Sequence, residues 1–107
     1  MADDPELTER VRRMLEGEVD VVEKRMFGSV GFLVGGVLRV GVGRHQDHVM
    51  MARVPLAAAA SALAVPGVHP AVMRGRSMRG WLFFDDEAVA SDDLLQRWLT
   101  SALGAEA

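Results

Sequence analysis

Hydrophobic and polar positions along the chain follow two different periods, and the change between them outlines the elements. From Pro5 to Glu16, Leu7, Val11, Met14 and Leu15 recur at helical spacing and form one apolar stripe. Asp4 is placed to cap this helix, Pro5 suits its first turn, Glu6 and Glu9 oppose the positive end of its dipole, and Gly17 ends it. From Val19 the pattern shortens to that of strands: Val19 to Phe27, Ser29 to Val34, Val37 to Val42 and Val49 to Val54. Gly35-Gly36 is a tight two-residue connection, and the register it sets pairs Val34 with Val37, Leu33 with Leu38 and Phe32 with Arg39. The stretch from Gly43 to His48 reads as a polar loop.

Pro55 opens a short alanine-rich helix in which Leu56, Ala60 and Leu63 share a face, and Pro66-Gly67 ends it. Ala71 to Met73 and Met78 to Phe84 form a second hairpin about Arg74-Gly75-Arg76. A last helix starts near Ser91 or Asp92, buries Leu94, Leu95, Trp98, Leu99 and Ala102, and stops at Gly104. The order α-β-β-β-β-α-β-β-α with hairpin-linked strands predicts an α+β fold, one antiparallel sheet with helices packed on one face. On simple alternation, Val30, Phe32, Val34 and Val37 line one face of the glycine hairpin, and Leu33, Leu38, Val40 and Val42 the other. Both sets are apolar, so either a homodimer or partner covers the face carrying Val30, Phe32, Val34 and Val37, or the terminal helices cover both sides.

Composition adds limits to this picture. The 107 residues suit one domain spanning residues 1–107, and half of them are apolar. With no cysteine, zinc-ribbon and thiol chemistry are excluded. The acidic start Met1 to Glu6 is unlike a secretory signal, and the alanine-rich stretch is too interrupted to span a bilayer, so the expected location is cytoplasmic, off the membrane. A formal net charge of −3 gives no global field for nucleic acid.

Candidate chemistry is sparse. His45-Gln46-Asp47-His48, with His69, has the residue types of a metal site but matches no ligand spacing, and reads as a solvated turn. No metal or cofactor is assigned. The hydroxyls fall in no nucleophile elbow, and Asp85-Asp86-Glu87 reads as another solvated turn, so no catalytic residue is expected. The glycines Gly31, Gly35, Gly36, Gly41 and Gly43 form no phosphate loop and are read as structural. The best candidate surface is Arg74, Arg76 and Arg79 with Trp81, joined by Lys24 and Arg25. These guanidinium groups could grip phosphate or carboxylate beside a ring that stacks, or simply pair with acidic helix ends while Trp81 packs in the core.

Two stretches carry a resemblance. Glu23-Lys24-Arg25-Met26-Phe27-Gly28-Ser29 with Gly31-Phe32-Leu33-Val34, and Gly67-Val68-His69-Pro70 with Gly75-Arg76-Ser77-Met78-Arg79-Gly80-Trp81, resemble the N-terminal domain of the TfoX/Sxy family over Leu7 to Leu103. The resemblance implies a two-layer, helix-flanked sheet of the secretion-chaperone type, and regulation of bacterial competence by co-activation of transcription alongside the cyclic-AMP receptor protein. The second, helical domain common in full-length competence regulators is not expected here, so the chain is read as a stand-alone domain. Ser29 stands where a second glycine is usual and Ser77 where a proline is common. The expectation is a regulatory or protein-interaction domain, with the transcription machinery or a second copy as partner. Two alternatives are direct nucleic-acid binding through the arginine loop and a small metal-dependent hydrolase using His45, Asp47 and His48.

Overall fold

The computed structural model describes residues 4–26 and 28–105. The first helix, α1 (Pro5–Met14), begins where the Asp4 side chain accepts the Leu7 backbone N–H at 3.2 Å. It is followed by β1 (Val21–Met26), β2 (Ser29–Val34), β3 (Val37–His45) and β4 (His48–Arg53). Then come α2 (Leu56–Leu63), β5 (Val68–Met73), β6 (Arg76–Asp85), α3 (Asp86–Val89) and α4 (Asp92–Gly104). The strands form one antiparallel sheet of six in the order β1-β2-β3-β4-β6-β5, so the α+β architecture expected from the periodicity is the one observed.

Helices cover one face of this sheet. Side chains from α1 (Leu7, Val11), α2 (Ala62), α3 (Ala88, Val89) and α4 (Leu95, Trp98, Leu99, Ala102) share one core with Val30, Phe32, Val40, Val42, Met50, Ala52, Leu82 and Phe84. The Trp98 ring packs against Phe84, with ring centres 5.0 Å apart, and its indole N–H donates to the Ala88 carbonyl at 2.8 Å. Arg10 ties α1 to this corner, donating to the Val89 carbonyl at 2.9 Å and pairing with Asp92 at 2.9 Å. The Ser91 hydroxyl caps α4 by accepting from the Leu94 N–H at 3.1 Å.

Two expectations about the faces need correction. The register shifts between Phe32 and Leu33, so Phe32 pairs with Val40 and not with Arg39, while Leu33–Leu38 and Val34–Val37 pair as expected. This bulge puts Val30, Phe32, Val40 and Val42 together on the helix-covered side. Val30 and Phe32 are therefore consumed by the chain's own core and do not form an oligomer face; Val34 and Val37 are half-buried beside the Gly35-Gly36 turn. The bulge also turns Arg39 towards α4, where its guanidinium donates to the carbonyls of Ala102 and Ala105 at that helix's negative end. The second correction is that the terminal helices do not cover both faces. The other side carries Met26, Leu33, Leu38, Met51, Trp81 and Phe83, all half-buried, with no helix over it.

Boundary differences have local causes. β1 starts at Val21 and not Val19 because Asp20 takes a left-handed backbone (φ 58°). Phe27 lies outside the described residues. β3 runs on to His45, so the anticipated polar loop shrinks to Gln46-Asp47, with Gln46 at φ 55°. β5 begins at Val68 despite Pro70, since an edge strand can leave the missing N–H on its outer side. Asp86 and Glu87, expected in a solvated turn, begin the single turn of α3. No helix among the described residues is long and apolar enough to cross a membrane.

Candidate functional site

The helix-free face is not flat. Between Pro70 and Val72 the β5–β6 register changes from Pro70–Leu82 to Val72–Ser77, leaving only Ala71 opposite the segment from Met78 to Trp81. Gly80 takes φ 86° within that bulge, a conformation costly for any residue with a Cβ. The excess length on β6 bends the hairpin. Its tip, a tight turn with Arg74 at φ 54° and Gly75 at φ 75°, then curls back across the sheet. Val72, Met73 and Arg74 consequently line the same cavity as Ser29 of β2 and Gly41 of β3, although β5 is the far edge strand.

This cavity has a volume of about 290 Å³. Its apolar lining comes from Gly41, Gly43, Met50, Met51, Val72, Met73 and Phe83, and its polar lining from Ser29, Arg74, His45, Gln46 and His48. Gly41 is closely packed, as a structural glycine is expected to be: a Cβ there would lie 3.1 Å from Met51 Cγ, which would have to give way slightly. Val72 and Met73 remain 48% and 47% exposed, so apolar surface continues outward from the cavity mouth.

At His48, which lines the cavity, two further titratable side chains from neighbouring strands converge on the imidazole. Asp85, the last residue of β6, accepts from His48 Nδ1 of β4 on Oδ1 at 2.8 Å and from His69 Nε2 of β5 on Oδ2 at 2.8 Å. The His48 ring stacks on Phe83 with centres 4.6 Å apart and lies 5.5 Å from the His69 ring. Burial pushes the Asp85 carboxyl up, but hydrogen bonds from His69 and then His48, with their Coulombic attraction, together bring it below the ordinary aspartate range. The group is a carboxylate at neutral pH.

The residues singled out from sequence are only partly brought together. Arg74 reaches the cavity rim, and Trp81 lies half-buried on the same face, opposite Arg53 across the β4–β6 pair, and not in the core. Arg76 and Arg79 are exposed on the same hairpin. The ion pairs among the described residues use Arg10, Arg12, Arg13 and Arg44, so Arg74, Arg76 and Arg79 do not pair with acidic helix ends. Lys24 and Arg25 sit on β1, the opposite edge strand, with side chains alternating to opposite faces; Arg25 joins Arg12, Glu9 and Glu23 on the helix side. The metal-type cluster is also relocated. His45 and His48 face each other across the β3–β4 turn, but the side chains that meet His48 are His69 and Asp85, not Asp47. Sequence spacing concealed this, because His69 and Asp85 are 16 positions apart and His48 and Asp85 are 37 apart, joined only by strand register.

The family model described as the TfoX N-terminal domain matches residues 13–106. The chain belongs to this family. The Glu23–Ser29 and Gly75–Trp81 stretches of the resemblance fall inside the matched span. No curated protein and no solved structure matches the chain.

Proposed function

We propose that this TfoX N-terminal domain is a regulatory binding module, without catalytic turnover, that takes an acidic segment of a partner protein bearing apolar side chains on its helix-free sheet face. The observation that carries the reading is the cavity beneath the curled hairpin, largely apolar in its lining and edged by Arg74, which makes no ion pair among the described residues. Its volume of about 290 Å³ suits one or two inserted side chains better than a nucleotide-sized cofactor. Arg74, Arg76 and Arg79 on one hairpin supply paired donors for carboxylates flanking such an anchor. The basic residues on β1 are across the sheet from the hairpin, so they do not extend its three arginines into the longer track of phosphate contacts on which nucleic-acid affinity depends. A regulatory partner within the transcription machinery is in keeping with the family.

Selection from a displayed random-peptide library against the full chain tests this. Enriched peptides should combine Leu, Phe or Trp with neighbouring Asp or Glu, and their affinity should fall at least about ten-fold in the triple Arg74/Arg76/Arg79→Ala variant, a modest loss for paired charge-assisted contacts. Failure to enrich such peptides, or equal binding by the triple variant, refutes the reading. Duplex binding with a steep salt slope that disappears in the same variant would transfer the surface to nucleic acid. A mass that doubles with concentration and excludes the peptides would give it to a second copy.

A further inference from the structure

The meeting of His48, His69 and Asp85 has a consequence independent of any peptide partner. We infer that these three side chains form a binding site for a divalent transition-metal ion of the zinc class, beside the helix-free cavity whose lining includes His48. One nitrogen from each imidazole and one carboxylate oxygen lie within 4.8 Å of one another. Two imidazoles and a carboxylate form a donor set suited to zinc and its first-row neighbours, and it leaves the remaining coordination positions open. In tetrahedral zinc sites, bonds of about 2.0–2.2 Å place donor atoms roughly 3.4 Å apart. The 2.8 Å separations from His48 to one Asp85 oxygen and from His69 to the other, together with the 4.8 Å limit of the whole set, bracket that spacing.

Three features make this more than a chance cluster. The donors stand on adjacent strands β4, β6 and β5, so backbone hydrogen bonds fix their origins far better than a loop would. The His48 ring is held from behind by its stack on Phe83. Among the described residues no arginine or lysine engages Asp85, while the neighbouring Asp86 is already engaged by Arg44 at 3.1 Å. Without metal, the ionised carboxylate accepts only, so His48 Nδ1 and His69 Nε2 each carry the donated proton. On metal binding, a neutral ring moves that proton to its other nitrogen, and a doubly protonated ring releases it to solvent, so that a neutral imidazole's lone pair turns to the ion. A water or a partner's carboxylate would complete the coordination shell.

The competing account is a purely structural clip, in which Asp85 ties β4 to β5 and needs no ion. Titration of the tag-free full chain with Zn²⁺, and with Co²⁺ as a spectroscopic probe, separates the two. The site predicts one equivalent bound per chain, Co²⁺ visible bands of a low-coordinate site, and a thermal midpoint raised by Zn²⁺ and restored by chelator. His48→Ala, His69→Ala and the near-isosteric Asp85→Asn should each weaken binding beyond the roughly 10–100-fold lost with an outer partner. His45→Ala should leave it within about three-fold, since the ligand set does not use it. Circular dichroism of each apo variant reports folding, and a variant that fails to fold is replaced by His69→Gln at the more exposed ligand. Absence of stoichiometric binding overturns the inference, as does binding that survives His69→Gln and Asp85→Asn. A loss on His45→Ala as large as that on His69→Ala would place the metal at the β3–β4 turn and overturn this ligand set.

Discussion

The two faces of the one sheet are made from the same strands and nearly the same residue types, yet they serve different ends. On the helix-covered face Phe32, Val40, Val42, Met50 and Phe84 are essentially withdrawn from water. On the other, Leu33, Leu38, Met51, Trp81 and Phe83 have no helix over them and stay half-buried. Neighbours in sequence divide between them: Phe32 from Leu33, Met50 from Met51, Phe84 from Phe83 and Asp85. Apolar character alone therefore does not identify a core. What separates the faces is whether helices with complementary stripes lie across them.

Substitution of adjacent residues is the strongest way to break the comparison. Phe32→Ala should cost roughly 3–5 kcal/mol by urea unfolding, because it empties a fully enclosed site. Leu33→Ala, one position along on the open face, should cost about 1 kcal/mol or less. Equal losses would mean that the helix-free face is part of a closed core. Next in size is the hairpin. Gly80→Ala places a Cβ at φ 86° and should cost about 1–2 kcal/mol from backbone strain, not from collision, since the nearest atom is 3.7 Å from the added carbon. It should also weaken selected peptides, because the bend shapes the cavity; unchanged affinity would separate the bend from binding.

The legible part of the structure was what local pattern can carry. The α1 cap at Asp4, the Gly35-Gly36 turn and the Trp98 stripe each follow from residues a few positions apart. The face assignment failed at a single bulge after Phe32, because alternation counts residues and a bulge adds one without any sequence mark. The site was less legible still. His48, His69 and Asp85 come from three segments, and only the pairing of β4 and β5 with β6 brings them together. His45 and Asp47 sit nearer to His48 in the chain, but Asp47 lies at the turn and takes no part in the cluster.

The smallest effect sharpens the helix-covered side. Arg12 donates to both Glu23 oxygens at 2.6 and 2.7 Å, joining α1 to β1, and this hydrogen bonding holds the Glu23 carboxyl below its ordinary value of 4.5. A carboxyl depressed in the folded state contributes stability that is complete above the unfolded value and is lost as pH falls through the folded one. Wild type should thus lose more stability than Glu23→Gln between pH 5 and 3, by less than the Gly80 effect, because the pair is solvent-screened. Parallel pH profiles for the two proteins would show that the pair adds nothing.

Methyl-labelled methionine offers the most direct reading of the division itself, since Met50 and Met51 are adjacent and point to opposite faces. With a soluble paramagnetic relaxation agent, the Met51 and Met73 methyl signals should broaden strongly while Met50 stays sharp, and a selected acidic peptide should restore Met51 and Met73. Equal protection of Met50 and Met51 in the free chain would show both faces closed, and would contradict an open working surface.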